Sequence, residues 1–237
     1  MSARYAIYFT PAPDGALWQV ASAWIGRDTH ADRAVPRPPA LDLASDDLAA
    51  VTANPSRYGF HATLVAPFEL APGRDEDDLD AALVTFCRNW PTFRTALKVD
   101  RIYDFLALVP AQVDPRLDTL AAACVRGFDH FRAPLSDADL VRRDSPDLSE
   151  YERALLKRWG YAHVLDAFRF HMSLTGALPD DTLARLKPQL VALFDDVLRE
   201  PVAIDGLSLL KQPDRSSPFH CIARHGFTPV ELAARVH

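Results

Sequence analysis

Two short stretches hold residue types and spacings that could do acid–base chemistry. Phe60-His61-Ala62-Thr63-Leu64 and Phe170-His171-Met172-Ser173-Leu174 share one form: aromatic, histidine, small or apolar, hydroxyl, leucine. Both lie in runs that predict β-strands, about 58–66 and 167–175, where successive side chains point to opposite faces. Phe60, Ala62 and Leu64 then share one face and His61 and Thr63 the other. Phe170, Met172 and Leu174 stand likewise against His171 and Ser173. Histidine titrates near pH ~6.5, so one imidazole can be neutral while a second is protonated. The neutral ring would take a proton from water and the charged ring would give one to a leaving oxygen, each role contributing roughly 10²–10⁴-fold. Thr63 and Ser173 would hold the non-bridging oxygens of a phosphate as charge builds on them. A cyclic phosphodiester suits such a pair, because attack and departure take place on opposite sides of the phosphorus. The expectation is that the two faces look at each other across one cleft.

Other residues are weaker candidates. A lone histidine in a strand is more often structural, and threonine and serine are ordinary strand residues; it is the matched pair that carries the argument. Arg169, two residues before His171, is expected on the same face and would neutralise phosphate, although Gly59 stands at the equivalent place in the first motif. Tyr8 would line the cleft from the N-terminal strand. Arg57, Arg142, Arg143, Lys157, Arg158 and Tyr161 either gather near the opening or form a solvated charged face, and the solvated face is preferred. His163 and His220 lack a hydroxyl in register. No HExxH or similar ligand spacing occurs, so neither a catalytic metal nor a cofactor is expected.

Several elements must position these residues. Arg4 to Phe9 alternates as a strand, with Tyr5, Ile7 and Phe9 on one side. A helix is predicted over about Gly15 to Gly26. Residues 27–55 read as loop, with at most a short helix near Asp46 to Val51. The first motif strand is expected to close at Pro67. Further helices are predicted over about Asp75–Trp90 and Asp114–Phe131, from a capping box at Ser149-Glu150-Tyr151-Glu152 to Gly160, and from Pro179 to Pro201. Phe93–Arg101 and Tyr103–Pro110 predict a hairpin, Val202–Leu210 and Phe219–Arg224 two more strands, and Thr228–Val236 a terminal helix. The order motif strand, helix, two strands occurs twice, and the histidines lie 110 residues apart. Such a repeat predicts two related halves, each its own antiparallel sheet with outer helices, within one domain over residues 1–237. The segment 114–160 is then a helical insertion, either lid or scaffold.

Composition narrows the partners. The chain has 237 residues, 49% of them hydrophobic, and a formal net charge of −6, which disfavours a long nucleic-acid track. Cys87, Cys124 and Cys221 are odd in number and widely spaced, as expected of reduced, mostly buried thiols in a cytoplasmic protein. No signal peptide or membrane span is read from the sequence. The expected partner is a small-molecule phosphate ester, and the expected state a monomer.

Paired His-x-Thr/Ser-apolar motifs about a hundred residues apart resemble the signature of the 2H phosphoesterase superfamily. The stretches RYAIYFTP from Arg4, RYGFHATLVAPFEL from Arg57, LLKRWGYAHV from Leu155 and FRFHMSLTG from Phe168 look closest to the branch encoded in carbon–phosphorus lyase (phosphonate) operons. The resemblance implies a bilobal α+β fold of pseudo-two-fold duplicated antiparallel sheets around a central cleft. It implies metal-independent phosphoester chemistry, with His61, His171, Thr63 and Ser173 as the catalytic and phosphate-binding set. The substrate it suggests is a cyclic phosphate of a sugar, such as ribose, or of a nucleotide. A 2′-5′ RNA ligase or RNA cyclic phosphodiesterase, and a non-catalytic binder of phosphate esters, are the alternatives.

Overall fold

The computed structural model describes residues 3–38 and 45–229. In chain order the elements are β1 (Arg4–Phe9), α1 (Ala16–Ile25), β2 (Arg27–Asp28), β3 (Arg33–Ala34), α2 (Ser45–Val51), α3 (Ala53–Tyr58), β4 (Ala62–Phe68), α4 (Glu76–Arg88), β5 (Phe93–Thr95), β6 (Leu97–Ile102), β7 (Phe105–Pro110), α5 (Pro115–Phe128), α6 (Asp137–Arg143), α7 (Glu150–Trp159), β8 (Met172–Ser173), α8 (Asp180–Leu198), β9 (Val202–Ile204), β10 (Gly206–Gln212) and β11 (His220–Gly226). Single 3₁₀ turns stand at Asp129–Phe131 and Leu165–Ala167. The fold is α+β, and the pairings between its strands are antiparallel.

Helix boundaries follow local chemistry. The carboxylate of Asp75 accepts from the Asp78 amide and three acidic residues occupy the first turn of α4, where the helix dipole favours negative charge. Ser149 and Glu152 form the expected reciprocal cap of α7. The buried stripes of α4 (Leu79, Leu83, Cys87), α5 (Leu117, Leu120, Cys124) and α8 (Leu183, Leu186, Leu190, Phe194) recur at helical spacing and enter one continuous core.

Sheet topology departs from the expected pair of self-contained halves. One sheet runs β11-β10-β1-β4 and another β6-β7-β8, with β5-β9 and β2-β3 as two-stranded ribbons. The first motif strand therefore shares a sheet with strands from the end of the chain. The second motif strand, β8, pairs with β7 from the middle. The hairpin β6-β7 forms as expected, but β5 leaves it at Ala96 to pair with β9.

Both motif strands are shorter or displaced. The first begins at Ala62 rather than near Tyr58, because Tyr58 closes α3 and Gly59 turns the chain at φ 85°. A Cβ at Gly59 would stand 2.4 Å from the Thr29 methyl, so both backbone sign and space call for glycine. Pro67 does not stop β4, which runs on to Phe68; β4 is an edge strand, where a missing amide donor is tolerated. The second motif forms a ladder only at Met172–Ser173, and Leu174 and Thr175 then donate amides to the single carbonyl of Leu106. The stretch taken as loop holds the β2-β3 hairpin and α3 as well as the short α2. The expected terminal helix falls mainly on residues outside the described range. Thr228, at its start, bridges to Pro91.

Candidate active site

The alternation expected of the motifs holds in the packing. Phe60, Ala62 and Leu64, and likewise Phe170, Met172 and Leu174, are buried in the main core. His61, Thr63, His171 and Ser173 are partly exposed on the opposite side. In β1 the same two-residue period sends Tyr5, Ile7 and Phe9 into that core and turns Arg4 and Tyr8 to the other face. Tyr8 lies opposite Thr63 in the ladder.

A cleft of about 330 Å³ opens over this face. Its floor holds Tyr8, His61 and Thr63, and Ser173 reaches it from β8, whereas His171 is not among the residues that line it and is near enough to His61 to act on its charge. The His61 ring stacks on Tyr8 with centroids 3.7 Å apart and planes 17° off parallel. Its Nδ1 lies 2.8 Å from the Gly59 carbonyl oxygen and its Nε2 3.0 Å from Thr63 Oγ1. A carbonyl can only accept, so Nδ1 carries the proton and the Thr63 hydroxyl donates to Nε2. His171 repeats the first contact: its Nδ1 lies 2.8 Å from the carbonyl oxygen of Arg169, again two residues earlier. Its ring stands 5.6 Å from that of Phe105. Each imidazole is thus held as the Nδ1–H tautomer.

Both histidines are pushed toward the neutral form. Burial lowers His61 to about 4, against the raising effect of the Gly59 carbonyl, and the like charge of His171 adds to the fall. Burial also lowers His171, whose like-charged neighbour is His163. Burial drives the Tyr8 phenol well above its ordinary range, so it stays protonated. Cys87 and Cys124 are buried free thiols and Cys221 is half-buried. Among the described residues no group of three or more His, Cys, Asp or Glu is placed to hold a metal ion, and no helix is long and apolar enough to cross a membrane.

Not every candidate reaches the cleft. Arg169 was expected to face phosphate. Its guanidinium instead donates to the carbonyls of Asp166, at 3.2 Å, and Phe168, at 2.6 Å, and the residue serves His171 through its own carbonyl. Arg57 donates to the Arg215 carbonyl, and Arg158 pairs with Asp129 and lies over Trp159. Arg142, Arg143 and Tyr161, assigned to a solvated face, do line the cleft. So do Arg4, Asn54 and Tyr58, which the motifs gave no reason to choose. The signal that could have found Arg4 is its place on the Tyr8 side of an alternating strand. The helical segment 114–160 supplies a wall: Arg143 of α6 donates to the Pro67 carbonyl in β4 at 2.6 Å, and Arg215 ties Asp139 of α6 at 2.8 Å.

This chain belongs to the family described as "Protein of unknown function (DUF1045)", which matches residues 63–220. It is 37% identical over 216 residues to a protein named "Ribose 1,5-bisphosphate phosphokinase PhnN" of Laribacter hongkongensis, a match taking in 91% of this chain and 50% of that protein. A protein of the same name from Janthinobacterium sp. is 37% identical over 224 residues, with 91% and 49% covered. The chain spans about half the length of the curated relatives it matches. Among solved structures it is similar to one described as a phosphoesterase (TM-score 0.43, 15% identity, 96% of this chain and 99% of that one). It is also similar to Escherichia coli LigT complexed with 3′-AMP (TM-score 0.45, 13% identity, 96% and 99% covered).

Proposed function

We propose that this protein is a metal-independent phosphoesterase that hydrolyses a small cyclic phosphodiester of a sugar or nucleotide in the cytoplasm. The observation that carries the reading is the matched locking of two imidazoles. Nδ1 of each is tied to the carbonyl two residues earlier, which turns Nε2 toward the reaction on both; on His61 that nitrogen accepts from the Thr63 hydroxyl until substrate draws the hydroxyl away. On this reading the chain is one domain of two related halves whose motif strands border a shared cleft. One neutral Nε2 takes a proton from water as the water oxygen bonds to phosphorus. The bond from phosphorus to one ring oxygen breaks, and that oxygen takes the proton of the other, protonated Nε2. The product is a phosphomonoester with a free hydroxyl.

With phosphate bound, the Thr63 hydroxyl turns from His61 Nε2 to a non-bridging oxygen, Ser173 donates to another, and Tyr8 keeps the His61 ring in plane. Substrate itself offsets the burial that keeps both rings neutral: a bound phosphate anion favours protonation of a nearby imidazole. The ribose bisphosphate in the relatives' name fits a phosphorylated sugar. Their kinase activity is not carried over, because the match takes in half of their length. This chain also has no Gly-x-x-x-x-Gly-Lys-Ser/Thr run to cradle a nucleotide's phosphates.

The test is a panel of sugar and nucleotide cyclic phosphates assayed with excess chelator. Turnover is expected to persist, and to fall by at least about a hundredfold in His61→Ala and in His171→Ala with folding intact. A variant with an unchanged rate removes that histidine from the mechanism. Affinity for the panel without turnover of any member would leave a binding module instead.

A further inference from the structure

The far wall of the cleft carries more positive charge than a single cyclic phosphate, a monoanion, requires. Arg4 is 8% exposed. It stands opposite Gln212 in the β1–β10 ladder and gives Nε, at 2.8 Å, and Nη2 to the Gln212 amide oxygen. Arg143 gives its two Nη groups to the carbonyls of Gly160, at 2.5 Å, and Pro67, at 2.6 Å. All of these acceptors are neutral. Of other partly buried arginines, Arg132 has Asp129 and Arg224 has Asp205, while Arg37 donates to the Trp24 carbonyl and the Thr52 hydroxyl. Arg142 and Arg215 share Asp139, and Arg215 also reaches Glu69. Among the described residues, Arg4, Arg142 and Arg143 line the cleft, and of the three only Arg142 has a carboxylate, Asp139, at ion-pair distance. A sequestered charge held only by neutral dipoles is costly unless a counter-charge arrives. Arg4 and Arg143 line the same cleft as His61, Thr63 and Ser173. Its volume is in the range of pockets that take small molecules.

We propose that Arg4 and Arg143 form a second anion subsite, which takes a phosphate monoester of the substrate that does not itself react. The proposal deepens the reading of the cleft as a cyclic phosphodiesterase site by naming the substrate class: a sugar phosphate bearing one cyclic phosphate and one terminal phosphate. Guanidinium forks suit the terminal group, since their paired N–H donors match phosphate oxygens. The monoester dianion also matches the two charges left over on the wall.

The experiment uses product-like probes that need no turnover. Ribose 5-phosphate and ribose 1,5-bisphosphate are titrated calorimetrically into the full chain. The bisphosphate is expected to bind at least about tenfold more tightly. That ratio should fall to within about threefold in Arg143→Gln and in Arg4→Gln. It should persist in Arg101→Gln, whose guanidinium pairs with Asp180 away from the cleft. Arg4 is buried, so thermal unfolding checks that variant, and Arg143→Gln decides alone if Arg4→Gln does not fold. Equal affinities in the natural chain, or binding of neither probe, overturns the subsite. So does a ratio that survives both substitutions. Cyclic phosphate turnover is scored separately: its absence, with the ratio intact and Arg143-dependent, counts against the hydrolase and for the subsite.

Discussion

At the scale of the residue, the structure fixes the tautomer of the two motif histidines. His61 and His171 spend Nδ1–H on a backbone carbonyl, and the carbonyl comes from residues as unlike as Gly59 and Arg169. The motif pattern made the histidine and hydroxyl legible because side-chain alternation is a property of any strand. The carbonyl contact was not legible, because main-chain atoms leave no mark in residue type. Arg169 misled for the same reason: its value lies in its backbone. The lowered His61 also makes a statement about stability. Its folded-state value of about 4 lies below the unfolded value, so between the two the unfolded chain binds the extra proton. The contribution is fully present above pH ~6.5 and is lost as pH falls through about 4, with an upper bound of roughly 3 kcal/mol that cleft water around the ring would reduce. His171 and His30, also lowered by burial, add in the same direction. Urea unfolding at pH 7 and pH 4.5 is expected to show the decline. It should be shallower in His61→Gln; an identical slope in that variant would assign the decline to other groups.

At the scale of the element, the helices were the easiest part to read. Their boundaries are set by local caps and their buried faces by a period that needs no knowledge of partners. The strands were harder, since a ladder exists only where a neighbour is in register. That is why the second motif forms only a two-residue strand, and why β5 parts from β6 at Ala96. What then holds the second motif in place is a tie from a helix. Trp24 of α1 gives its indole N–H to the Leu174 carbonyl at 2.7 Å, across 150 residues of chain and wholly within the core. Trp24→Phe is expected to cost about 1–3 kcal/mol, because the carbonyl loses a buried donor. Chemical denaturation measures this directly. Activity should also fall if Leu174 shifts, since Ser173 is its neighbour in the cleft.

At the scale of the whole molecule, the order of elements was largely legible but their wiring into sheets was not. Element order along the chain gives the same list whether each half closes on itself or the halves exchange strands. In the structure β10 and β11 complete the sheet of β4, and β7 completes that of β8. The basic wall was hidden for a related reason. Arg4, Arg142 and Arg143 come from segments far apart, and a formal net charge of −6 averages them away. Because neither half contains a complete sheet, a fragment ending at residue 112 is expected to show no cooperative unfolding by circular dichroism. Mixing it with a fragment of residues 113–237 should restore the transition. A cooperative melt of either piece alone would mean that the exchange is not required for folding.

The placement of β1 between β10 and β4 has a further outcome for how the protein is born. Tyr8 leaves the ribosome well before both of its ladder partners, Thr63 and Ser208. Arg4 waits longer still, for Gln212. A newly made chain therefore carries its cleft floor half-assembled until β10 has followed β1 and β4. The cleft floor is completed in one step, when β10 threads alongside β1.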